Sequence, residues 1–72
     1  MDEKTILSAD IHGYNSINAG KVIKVGKSLV PGETYIVTNA LGTNHVVCRC
    51  TETAFDKEGK PVSKIQKINA TV

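Results

Sequence analysis

The run His45-Val46-Val47-Cys48-Arg49-Cys50 gathers an imidazole, two thiols and a guanidinium within a few positions. With His12 upstream, these groups could supply four ligands of a tetrahedral zinc site, or a thiolate activated by a neighbouring cation. The spacing argues against both. If the run is a strand, Cys48 and Cys50 share a face with Val46, while His45, Val47 and Arg49 point the other way. Structural zinc sites usually space their cysteines by about two to four residues on a turn, and His45 would have to reach round to the opposite face. Along an extended strand the two cysteine Cα atoms lie roughly 6.5–7 Å apart, so a disulfide between them would need a kink. The expectation is therefore two small buried apolar side chains beside Val46, with no metal and no cofactor.

A second set of residues is cationic: Lys21, Lys24 and Lys27 in one segment, then Arg49, Lys64 and Lys67. If Lys24, Arg49 and Lys64 converge on one face with Tyr35, they could track a phosphate backbone, with charge giving affinity and little sequence choice. Glu33, Glu52 and Glu58 interleave with them and blunt that field, as on an ordinary solvated surface. Catalysis has less support. The chain offers no histidine-serine-acid arrangement and no paired carboxylates beyond Asp2-Glu3. Gly20 and Gly26 enclose one residue too many for a phosphate-binding loop, and no helix start follows them.

The elements that would position these groups are short strands punctuated by turns. Thr5 to Ile11 alternates, with Leu7, Ala9 and Ile11 on one face. Residues 12–20 are polar and closed by glycines, and read as a loop. Lys21 to Lys27 alternates again, with Ile23 and Val25 opposite Lys24. Pro31-Gly32 favours a type II turn, because proline fixes φ and glycine accepts a positive one. Thr34 to Thr38 is rich in β-branched and aromatic residues and reads as a strand. His45 to Phe55 is the longest strand, and Asp56 to Gly59 turns it back on itself. The last segment is ambiguous. Val62, Ile65, Ile68 and Val72 recur at helical spacing, but the turn at Asp56–Gly59 needs a returning strand over Val62 to Ile68. A C-terminal helix is the alternative.

The fold class expected is mainly β, a small five-stranded barrel or sandwich spanning residues 1–72 as one domain. Curling hides sheet edges that so small a flat sheet would expose. The order of strand, long loop and meander is similar to small barrels of the Src-homology type, an analogy of architecture alone. A chain of 72 residues buries only about 60% of its unfolded surface, and an enclosed substrate pocket is hard to build at that size. A net charge of +2 is too mild for a dedicated nucleic-acid binder. No apolar run approaches the roughly 18 residues that cross a bilayer. Two cysteines without an export signal point to reduced thiols in a cytoplasm.

Both sides of two strands carry apolar groups, more than one compact layer can cover. Tyr35, Val37 and Val47 are accordingly the candidate partner-contacting residues. The function expected is a non-enzymatic module that binds another protein or itself, as a bacterial or phage accessory protein does when it adapts or inhibits a host factor. Nucleic-acid binding by the lysine-rich face is the alternative.

Overall fold

The computed structural model describes residues 3–68. Its elements are β1 (Thr5–Leu7), a 3-10 turn (Ser8–Asp10), α1 (Tyr14–Asn18), β2 (Ile23–Val25), β3 (Thr34–Thr38), β4 (His45–Phe55) and β5 (Pro61–Lys67). The strands form one mixed sheet in the order β1-β3-β4-β5-β2, curled into a half-barrel. β3, β4 and β5 are an antiparallel meander, β1 lies parallel to β3, and β2 lies antiparallel to β5. The half-barrel leaves β1 and β2 as edges.

Turn chemistry brackets the meander. Val30 to Glu33, the turn that leads into β3, closes with a 3.1 Å backbone bond across Pro31-Gly32, and Gly32 has a φ of 88°. The second hairpin turns at Gly59, with φ 81°, while Asp56 accepts the Glu58 and Lys60 N–H groups through Oδ1. β3 and β4 keep the ranges expected from their composition, and the ambiguous last segment is a strand over Pro61–Lys67. The end of the alternative C-terminal helix, residues 69–72, lies outside the described residues.

Two expectations fail at the N-terminal side. The alternation from Thr5 to Ile11 does not extend as one strand: it stops at Leu7 and turns. Its phase also differs, because pairing Ile6 with Val37 brings Ile6 to the core face and leaves Leu7 half-buried. The segment expected as a loop contains α1. A helix of five residues has little stability alone. It forms here because Ile17 is completely buried in the core and Tyr14 packs beside it.

Ile6, Ile11, Ile17, Ile23, Val25, Leu29, Tyr35, Val37, Val46, Cys48, Cys50 and Ile65 form one aliphatic cluster inside the curl. A β-bulge between Cys50 and Glu52 then shifts the phase of β4. Without it Glu52 would enter the core; with it Glu52 faces outward and Thr53 turns in against Ser63. That buried corner is polar but satisfied. Ser63 Oγ accepts the Leu29 N–H at 2.9 Å and donates to the Lys27 carbonyl, while Thr53 Oγ1 donates to the Leu29 carbonyl. The two hydroxyls thereby strap the loop after β2 onto the β4–β5 hairpin.

Candidate functional site

Side-chain alternation and pairing register divide the expected partner-contacting residues between two faces. Tyr35 and Val37 lie inside, at 4% and 0% exposure. Tyr35 is further committed by its hydroxyl, which accepts the Val30 N–H at 2.8 Å. Neither can present a side chain to a partner, so both are corrected to core residues. Val47 does face outward, and its cross-strand neighbour is Ile36. The two are 45% and 37% exposed. Ile36 is the residue that sequence reasoning missed. The signal was its opposite phase to Tyr35 and Val37, but alternation alone does not say which phase is inside.

The outer face continues from this pair into cations. Arg49 follows Val47 on the same side of β4, opposite Thr34 on one flank and Gln66 on the other. Lys64 and Lys24 are directly opposed across β5 and β2. They point outward because Ile23, Val25, Ser63 and Ile65 point in. Glu52, turned out by the bulge, reaches Lys64 at 3.6 Å. Among the described residues, neither Lys24 nor Arg49 has a carboxylate within ion-pairing distance.

The other three expected cations do not join this group. Lys27 approaches Asp10 at 3.9 Å. Lys67 pairs with Cys48 in register and donates to the Asn18 carbonyl at 3.2 Å, beside the end of α1. Lys21 is exposed in the segment before β2. Lys24, Arg49 and Lys64 thus lie on the same outward side of β2, β4 and β5, without Tyr35 and without the remaining lysines.

The thiols and imidazoles are kept apart. Cys48 and Cys50 are free and buried on the core face, whereas His12 and His45 are exposed. No cluster of three metal-ligating side chains occurs among the described residues. Burial pushes the Cys48 thiol up to about 11, with Lys67 pulling weakly the other way. A nucleophilic thiolate needs the opposite shift.

Near β1, Lys4 hydrogen-bonds Glu33 and sits over the Tyr35 ring, 5.1 Å from its centroid. That hydrogen bond raises the Lys4 pKa and lowers that of Glu33. A cavity of about 200 Å³ opens there, lined by Glu3, Lys4, Ser28, Leu29, Val30 and Tyr35. It is smaller than ordinary ligand pockets. The outer face instead offers apolar contact at Ile36 and Val47 and positive charge at Lys24, Arg49 and Lys64. No described helix is long and apolar enough to cross a membrane. In comparison with known proteins, no family model matches this chain, and neither a curated protein nor a solved structure resembles it at a significant level.

Proposed function

We propose that this chain is a non-enzymatic binding module that contacts another protein through the outer face of its half-barrel. One observation carries the proposal. Ile36 and Val47 are adjacent across β3 and β4, and both remain substantially exposed in a chain whose other sheet-centre aliphatics are buried. Covering the two contributes about 1 kcal/mol each by area, enough to anchor a contact but too little to define one alone. α1 and the loop after β2 pack on the inner side, so they leave this pair uncovered.

Capture from a lysate of the source cells, with and without nuclease, tests this reading. The expected result is protein that is retained after nuclease treatment and lost with an Ile36→Thr/Val47→Thr double variant, whose β-branched replacements suit strands. Capture that disappears with nuclease, or is unchanged in the variant, overturns it. Measuring solution mass in parallel distinguishes a partner from a second copy of the chain.

A further inference from the structure

We propose that the partner segment recognised by the outer face is acidic and apolar together: an aliphatic or aromatic side chain seated on Ile36 and Val47, with carboxylates reaching Arg49 and Lys24. This rests on the protein-binding reading and names the chemistry of its partner.

Three cations and one carboxylate share the strand positions of this face: Arg49, Lys64 and Lys24 against Glu52. Like charges directly opposed across a strand pair are destabilising, yet Lys24 and Lys64 occupy such a pair. Glu52 relieves Lys64, but Lys24 and Arg49 have no carboxylate of their own among the described residues. Arg49 lies two residues beyond Val47, roughly 7 Å along the strand, and β2 lies about 10 Å across from β4. A short extended segment can therefore place one apolar side chain and two carboxylates on these groups at once. The guanidinium of Arg49 can accept a carboxylate through paired N–H donors.

Two other occupants fit less well. A second copy docked face to face would set the same excess of cations against itself, which like-charge repulsion opposes. A nucleic-acid strand would find no aromatic platform on this face. Tyr35 lies inside, Tyr14 packs against the core, and Phe55 stands at the far end of β4. Lys27 and Lys67 have moreover been drawn to Asp10 and to the Asn18 carbonyl.

The test is selection of a random peptide library displayed on phage against the immobilised full chain, followed by titration of the enriched peptide into isotopically labelled protein. The expected peptides carry an apolar residue flanked by Asp or Glu, and shift the amide signals of Ile36, Val47, Arg49 and Lys24. A Lys24→Glu/Arg49→Glu variant, with both changes at exposed positions, is expected to bind at least about tenfold more weakly. Raising salt to about 0.5 M should weaken the wild-type complex several-fold. Enrichment of neutral or basic peptides on the same face overturns the acidic partner while leaving the protein-binding reading intact. If no peptide is enriched and a single-stranded oligonucleotide shifts these signals instead, both fall.

Discussion

The two faces of the curled sheet are made of similar residues, and only one of them is closed. On β3 and β4 the inner positions are Tyr35, Val37, Val46, Cys48 and Cys50, and the outer ones include Ile36, Val47 and Arg49. β-branched residues stand on both sides. What separates the faces is what packs against them. The inner face receives Ile17 from α1, Ile11 from the turn after β1, and Leu29 from the strapped loop. These three connections thus each commit an apolar side chain to one side of the sheet. The other side keeps Ile36 and Val47 in contact with solvent, with Arg49 next along β4. Fold stability resides in the first face, and the second is where we propose that a partner binds.

Ile65 gives the largest test of that division. It is completely buried and pairs with both Ile23 and Cys50 in register, at the junction of β2, β4 and β5. Ile65→Ala should cost about 2–5 kcal/mol. A domain of this size has on the order of 4–11 kcal/mol in total. Urea denaturation should show a much lower midpoint, or a chain already unfolded without urea. An unchanged midpoint would break the assignment of stability to the inner face.

Cys48 sharpens the comparison through pH. Its thiol is raised from 9.0 to about 11 by burial. Below pH 9 the thiol is protonated in both states, and the stabilisation is fully present. Between the two values the unfolded chain ionises first, so stability falls as pH rises and levels off above the folded value. The loss is on the order of 2 kcal/mol. Stability measured from pH 8 to 11 should decline less steeply in Cys48→Ala than in the wild type, whatever the variant's starting stability. Equal slopes would remove the thiol from the closed face.

These contrasts were only partly legible in the sequence. Local chemistry announced the strands at Thr34–Thr38 and His45–Phe55, because β-branched residues there are bounded by Pro31-Gly32 and Asp56 to Gly59. The same alternation correctly separated Cys48 from Arg49. Phase was harder. Leu7, Ala9 and Ile11 look like one face until parallel pairing with β3 selects Ile6 instead. Tyr35 and Val37 looked as available as Ile36 because both phases of β3 are apolar, and only the tertiary partner breaks that symmetry. α1 was hidden for a related reason, since Ile17 acquires its helix by being buried. The bulge at Cys50/Glu52 has no local marker such as glycine, so the outward turn of Glu52 followed from pairing alone.

The smallest expected effect lies on the open face and is the most discriminating. Ile36→Thr/Val47→Thr exchanges partly exposed aliphatics for a residue of similar shape and good strand compatibility. Surface substitutions of this kind usually stay within about 0.5 kcal/mol each. The double variant should therefore unfold close to the wild-type midpoint while losing its partner. A large drop in stability would mean that the pair is covered within the folded chain and belongs with the core. Near-equal stability with lost capture would instead separate the two faces by function, because stability would then be insensitive to residues on which binding depends.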